Sequence, residues 1–295
     1  MTIYTIIVTY NGTQWIEKCL DSLRQSSVQS HILVIDNASS DDTASVIRQK
    51  YPEVELIESG KNLGFGQANN IGLRKALEEK ADYVLLLNQD TKIGTDTIEK
   101  LIETAEANPQ YGILSPFHYN YEGDATERYF EEWVLQHYTP EYNRDKAEGR
   151  IKTVYTTSFV HAACWLMPIE TIRKVGGFDP LFFHYGEDND YVQRLHACGL
   201  KVAIVPEAGL FHQGTNWGLS DPGNKRWFQT NQSLLLFKDP NASGAGSLIL
   251  FLKQILKIHL SNNSVKASAY RQNLRRLFKM IKSRREQQKP LAYLS

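Results

Sequence analysis

Two hydrophobic rhythms alternate over the first 115 residues. Short apolar runs end abruptly in polar groups: Ile6-Ile-Val-Thr-Tyr10 passes into Asn11-Gly12, Ile32-Leu-Val-Ile35 into Asp36-Asn37, and Tyr83-Val-Leu-Leu-Leu87 into Asn88-Gln89-Asp90. Runs of this length, bounded by turn residues, predict strands. Between them apolar residues recur at helical spacing, as in Trp15, Ile16, Cys19, Leu20 and Leu23. Ala38-Ser-Ser-Asp-Asp42 offers capping groups for a helix that continues through Val46 and Ile47 and stops at Pro52. A short third strand is expected at 54–57, a glycine-bearing loop at 60–66, a helix reaching about residue 80, another over 95–108, and a strand at 112–115. This alternation predicts an α/β fold whose mostly parallel sheet is covered by helices on both faces.

The rhythm then changes twice. Residues 117–150 hold scattered aromatics among Tyr, Glu and Asn, and read as loops or a hairpin insertion. Regularity resumes at Val154 and runs through His161-Ala-Ala-Cys-Trp-Leu-Met-Pro168, a helix over about 187–199 and a strand Val202-Ala-Ile-Val205. Asn241-Ala-Ser-Gly-Ala-Gly246 reads as a linker. Beyond it two helices are expected, the second carrying Tyr270, Leu274, Leu277, Phe278 and Ile281 on one face and arginines and lysines elsewhere. The chain therefore divides into a body, 1–240, and a basic amphipathic extension, 241–295. Such a helix either binds an anionic membrane surface or packs on its own domain with a solvated basic face.

Charge sharpens that division. The 295 residues balance 33 basic against 33 acidic side chains, but 1–240 hold 22 basic and 32 acidic while 241–295 hold 11 basic and Glu286 alone. Cys19, Cys164 and Cys198 are odd in number and irregularly spaced, which excludes a disulfide framework or zinc cluster of cysteines and predicts core filling. Met1 leads almost directly into a strand without a basic leader, and no apolar run approaches the roughly 20 residues of a membrane span. A cytoplasmic protein is expected, peripheral on the membrane at most, and nothing points to nucleic acid as a partner.

Ligands of open parallel sheets bind beyond the strand carboxyl ends. Asp36 there could cap the following helix or accept a hydrogen bond from a nucleotide base or ribose. Asn62-Leu-Gly-Phe-Gly66 with Asn69 and Asn70 is a poor dinucleotide loop, since the glycine turn should follow the first strand; it is either a capped turn or a surface packed on a nucleotide. Asp90, leaving a strand apolar enough to be central, suits hard oxygen ligation of Mg²⁺ or Mn²⁺ shared with phosphates. Glu187-Asp188-Asn189-Asp190 opens a helix behind Phe182 and Phe183. Three carboxylates exceed what a cap needs, and one backed by aromatics can serve as general base toward a sugar hydroxyl. His212, just beyond a strand, is a candidate second metal ligand.

Taken in order, these segments resemble the family 2 inverting glycosyltransferases of the GT-A fold, especially the rhamnosyltransferase-like branch that builds bacterial surface polysaccharide. Ile7-Val-Thr-Tyr-Asn11, Val34-Ile-Asp-Asn37 with Ser40-Asp-Asp-Thr43, Asn62-Leu-Gly-Phe with Asn69-Asn70, Leu87-Asn-Gln-Asp-Thr91, and Gly177-Phe-Asp with Glu187-Asp188-Asn189-Asp190 carry the match, over residues 4 to about 215. The resemblance implies donor-nucleotide binding by Thr9, Tyr10, Asn11, Asp36, Asn37, Asn69 and Asn88, metal binding by Asp90 and His212, and Asp188 as catalytic base. Asn88 stands where the family's Asp-x-Asp motif has its first aspartate. Trp165 and Glu187 would meet the acceptor. The implied donor is a nucleotide-diphosphate sugar, dTDP-rhamnose favoured, with UDP and GDP sugars also compatible; the implied acceptor is a glycan or lipid-linked saccharide.

Two other classes compete. A sugar-phosphate nucleotidyltransferase should carry a Gly-rich, Arg/Lys-containing loop after the first strand, which is missing. A non-catalytic nucleotide-sugar-binding protein would keep Asp36 without needing Asp90, Asp188 and His212 together.

Overall fold

The computed structural model describes residues 1–214, 231–232, 234–242, 246, 248–249, 251–253 and 276–294. Its centre is a nine-stranded sheet: β1 (Ile3–Thr9), β2 (His31–Asp36), β3 (Glu55–Glu58), β4 (Tyr83–Asn88), β5 (Thr91–Ile93), β6 (Tyr111–Asn120), β7 (Tyr155–Thr157), β8 (Cys164–Pro168) and β9 (Lys201–His212). The strand order is β3-β2-β1-β4-β8-β6-β9-β5, with β7 paired to β9. β1–β4, β6 and β9 run one way, and β5, β7 and β8 the other. The expected α/β class with a mostly parallel sheet holds.

Helices α1 (Ile16–Arg24), α2 (Thr43–Lys50), α3 (Phe65–Glu78) and α4 (Thr97–Ala107) alternate with the early strands. α1 shows why: Ile16, Cys19, Leu20 and Leu23 fall on one face and are all buried against the sheet, each large aliphatic side chain contributing about 1.5–3 kcal/mol. Ile6, Leu86 and Trp165 pack in one apolar layer and Ile7, Leu85 and Cys164 in the other, as the period of two along a strand demands.

The region 117–150, expected as loops or a hairpin insertion, holds a reversal of the chain followed by helical segments. β6 continues to Asn120, and the chain reverses through Gly123, at φ +84°, where Asn120 Oδ1 accepts the Gly123 N–H. After this hairpin-like turn come a π-helical segment, Phe130–Tyr138, and α5 (Pro140–Ala147). Phe130, Val134, Leu135 and Tyr142 are buried there, so the scattered aromatics are a packed face rather than loop decoration. α6 (Ile169–Val175) and α7 (Glu187–Ala197) follow β8. Cys19 and Cys164 are buried as expected, whereas Cys198, just after α7, is exposed.

In the tail, Tyr270 and Leu274 lie outside the described residues. The C-terminal helix, Leu277–Glu286, buries Met280 and Ser283, and Gln287 beyond its end, against the body, while Phe278 is 89% exposed and Ile281 also faces outward. Lys238 contacts Asp179, Asp190 and Tyr293, and Leu294 joins the main core.

Candidate active site

The parallel register sets one edge of the site. Thr9 pairs with Asp36 across β1–β2, and Val8 with Asn88 across β1–β4, so the residues that end three strands share one sheet edge. Asp36 is buried; its Oδ2 accepts the Ser39 N–H at 3.1 Å, and its Oδ1 has no partner. An orphaned buried carboxylate oxygen is a costly arrangement, on the order of 1–3 kcal/mol, unless a ligand donor meets it. Asn11 (φ +48°) and Ala38 (φ +65°) both sit in the left-handed region beside it. Asparagine tolerates that conformation, but alanine stores strain of order 1–2 kcal/mol.

The other polar residues here are partly committed to the protein. Thr9 Oγ1 donates to Gln89 Oε1 at 2.5 Å, and the Tyr10 N–H to the same oxygen at 3.1 Å, while the Tyr10 side chain is exposed. Asn11 Oδ1 accepts from the Ser40 N–H at 2.8 Å. The Ser40-Asp-Asp-Thr43 segment clamps the loop after β1: Thr13 Oγ1 donates to Asp41 at 2.6 Å, and the Gly12 N–H to Thr43 Oγ1 at 2.9 Å. Asn37 accepts from the Leu63 N–H at 2.7 Å and donates to Asn62, which folds the 62–64 turn against β2.

Burial bears on two expected contacts. Asn69 is buried within α3, and its amide donates to the Phe65 carbonyl one turn back. Trp165 is 0% exposed, packed against Phe178 and Tyr191 inside the core. A side chain on the buried face of β8 cannot be an acceptor platform.

A cavity of about 300 Å³ opens at the same edge, lined by Asn88, Asp90, His212, Glu187 and Asp188 among others. Thr9, Tyr10, Asn11, Asp36 and Asn37 lie outside that lining. Asp90 and His212 meet through β5: Thr91, next to Asp90, is in register with His212, the last residue of β9. Asp90 Oδ1 and His212 Nε2 stand 3.6 Å apart, wider than a hydrogen bond. Burial alone would lower the His212 pKa, yet the facing carboxylates of Asp90 and Glu127 raise it to about 10. The donor set, a carboxylate oxygen and an imidazole nitrogen facing each other, fits a divalent cation.

Opposite, backbone geometry throws two carboxylates into the cavity. Tyr185 (φ +63°) and Gly186 (φ +92°) turn the chain immediately before α7, and Asn231 holds the His184 and Tyr185 carbonyls. A Cβ on Gly186 would press on Phe182 and Asn231 at 3.3 Å, in a conformation side chains rarely adopt. Asp188 Oδ1 accepts the Asn189 N–H at 2.8 Å; burial raises its pKa. Burial, then the Asp188 charge, pushes Glu187 up to about 8, and Glu187 Oε2 has no partner. Glu187 therefore keeps its proton to higher pH than an ordinary carboxylate.

Four residues without an assigned role stand here as well. Glu127, His161 and Tyr129 line the cavity, and His118 lies behind them. Glu127 is held well below the usual carboxylate range: burial opposes this, but His118, His161 and His212 outweigh it. No local spacing signals the group, because His118 and His161 are 43 residues apart and Glu127 sits in the segment expected to be irregular.

Comparison with known proteins gives a consistent picture. The family model for Glycosyl transferase family 2 matches residues 4–176. The chain is 26% identical to an N-acetylglucosaminyl-diphospho-decaprenol L-rhamnosyltransferase of Mycobacterium tuberculosis, over 95% of this chain and 97% of that one. It is 26% identical to a dTDP-rhamnosyl transferase of Shigella flexneri over 80% of each. Among solved structures, a mannosyltransferase from Pyrobaculum calidifontis in complex with GDP-Man and Mn²⁺ superposes with a TM-score of 0.60 at 17% identity, over 99% of this chain and 84% of that one.

Proposed function

On the premise that the chain belongs to glycosyl transferase family 2, we propose that it transfers rhamnose from a nucleotide diphosphate, dTDP favoured, to a saccharide or lipid-linked acceptor with inversion, in the assembly of surface polysaccharide. The observation that carries this reading is that the Asp90–His212 pair and the Glu187–Asp188 pair face one cavity beside the orphaned Asp36 carboxylate. The names of the mycobacterial and Shigella relatives support rhamnose.

Asp36 Oδ1 accepts a base or ribose donor, and Thr9, Tyr10, Asn11, Asn37 and Asn88 shape the edge around it. Asp90 and His212 would hold Mg²⁺ or Mn²⁺, which when bound neutralises charge on the departing diphosphate. Asp188 takes the proton of the acceptor hydroxyl as its oxygen bonds to the anomeric carbon and the carbon–phosphate-oxygen bond breaks on the other side. Glu187, neutral, donates a hydrogen bond to the acceptor. Single displacement inverts the anomer and needs no covalent enzyme intermediate. The outward Phe278 and Ile281, among Lys279, Lys282 and Arg285, support peripheral docking on an anionic cytoplasmic leaflet where a lipid-linked acceptor is presented.

The test is a donor panel with a lipid-linked acceptor, the product anomer assigned by NMR, with and without chelator. Transfer from one rhamnosyl donor, with inversion and loss on chelation, is expected. Retention of configuration, or full activity after exhaustive chelation, overturns the mechanism.

A further inference from the structure

Behind the Asp90–His212 pair lies a group of donors that the transfer reaction does not use. His118 Nδ1, His161 Nε2 and Glu127 Oε2 form a triangle with edges of 3.1, 3.4 and 3.5 Å. Two ligands held tetrahedrally about 2.0–2.1 Å from one ion stand about 3.3–3.4 Å apart, so the triangle has the size of one face of such a centre. His212 Nδ1 is 3.3 Å from the other carboxylate oxygen of Glu127, and one ligand atom from each of the four residues lies within 4.8 Å of the rest.

Hydrogen bonding accounts for only one edge, between His118 Nδ1 and His161 Nε2. Glu127 Oε2 has no hydrogen bond although two imidazole nitrogens flank it, and His212 Nδ1 has none either. The surroundings also suit a ligating His118. Ser115 Oγ lies 3.2 Å from the Pro116 carbonyl and 3.0 Å from His118 Nε2. With the proton on Nε2, that contact is the outer hydrogen bond that metal-ligating histidines usually make, and Nδ1 faces Glu127 and His161. The Phe130 ring stacks on His118 at 4.5 Å and holds its plane.

We propose that His118, Glu127 and His161, with the Nδ1 side of His212, form a binding centre for a transition-metal ion of the Zn²⁺ class, separate from the cation position beside Asp90. Imidazole-rich sets select Zn²⁺ and its neighbours over Mg²⁺ or Mn²⁺, which prefer all-oxygen ligands. Three residues of the group line the cavity, which gives the ion a way in. Bound there, it fastens the reversed segment after β6 to the chain before β8 and to the end of β9, and it sets the ring of His212 whose Nε2 faces Asp90. The centre acts as a positioning device and takes no part in bond making.

The test needs neither nucleotide nor activity, so it stands or falls apart from the transferase reading. The full chain is loaded with Zn²⁺, passed over a chelating resin and analysed for metal; Co²⁺ replaces Zn²⁺ for visible absorption. One retained Zn²⁺ per chain and intense tetrahedral Co²⁺ bands are expected. His118→Gln and Glu127→Gln should each weaken Zn²⁺ binding by more than about a hundredfold and Ser115→Ala by about tenfold, while Asp90→Asn changes it less than about twofold. No retained Zn²⁺ with only weak octahedral Co²⁺ bands overturns the proposal, and that readout depends on no variant folding. So does a loss in Asp90→Asn equal to that in His118→Gln, because the ion would then belong to the position beside Asp90.

Discussion

Two buried acidic clusters lie in this molecule and are built on opposite plans. In the first, Asp179 and Asp190 meet Lys238; Asp190 also meets Arg194 at 2.9 Å, and Ser283 and Tyr293 complete the set. Two carboxylates face the Lys238 amine, whose pKa burial pushes well down, and Arg194, which spends its remaining donors on the Val175 and Gly177 carbonyls. The second holds Asp90, Glu127, Glu187 and Asp188 around a cavity. Among the described residues every ion pair of Asp90 and Glu127 is with a histidine, and Glu127 Oε2, Glu187 Oε2 and His212 Nδ1 are left without hydrogen bonds. Burial and charge are common to both. What separates them is compensation: the closed cluster joins the C-terminal segment to the body, and the open one has capacity left for ligands.

The sharpest way to break this contrast is Asp188→Asn. In the open cluster it should lower transfer by about 10²–10⁴-fold with little change in donor KM or melting temperature. Parallel loss of transfer, donor binding and stability would move Asp188 to the structural side. Lys238→Met should do the reverse. It leaves two buried carboxylates without their Lys238 partner, so unfolding stability should fall by about 3–5 kcal/mol while turnover per folded molecule is unchanged; an unaltered denaturation midpoint would remove the closed cluster's assigned role.

A smaller effect separates the clusters by pH. Glu187 has its pKa raised to about 8, so the folded state keeps a proton that the unfolded chain releases near 4.5. Its contribution to stability is whole below about 4.5, is lost progressively up to about 8, and then levels off. Glu187→Gln should flatten that decline by up to about 1.4 kcal/mol per pH unit, measured by denaturation across pH; an unchanged slope would show Glu187 to be ionised in the fold. The smallest effect concerns what the closed cluster holds outward. Phe278→Asp should weaken sedimentation with anionic vesicles several-fold without altering activity on a short soluble acceptor, and added salt should weaken the parent further, since each nearby basic side chain contributes about 1 kcal/mol. Equal sedimentation with neutral vesicles would assign the helix to ordinary packing.

Local periodicity determined much of this protein. A period of two or 3.6 is written within a dozen residues, so the first four strands, their helices and the polar groups that end each strand were legible without the fold, Asp36 and Asp90 among them. Asp188 was legible because three carboxylates opening a helix exceed a capping need. Trp165 was misplaced because a run apolar on both faces does not say which neighbour covers it, and β8 turns out to lie between β4 and β6. That same strand order brings His161 beside His118, and the pairing of β5 with β9 sets His212 beside Asp90. Convergence of side chains tens of residues apart depends on sheet order and on the reversal at Gly123, and neither leaves a period in the chain. The outward turn of Phe278 was likewise decided by tertiary contact: Met280, Ser283 and Gln287 satisfy the body better than the more hydrophobic face does, because Ser283 meets the buried Asp179 carboxylate and Gln287 donates to the Lys238 carbonyl.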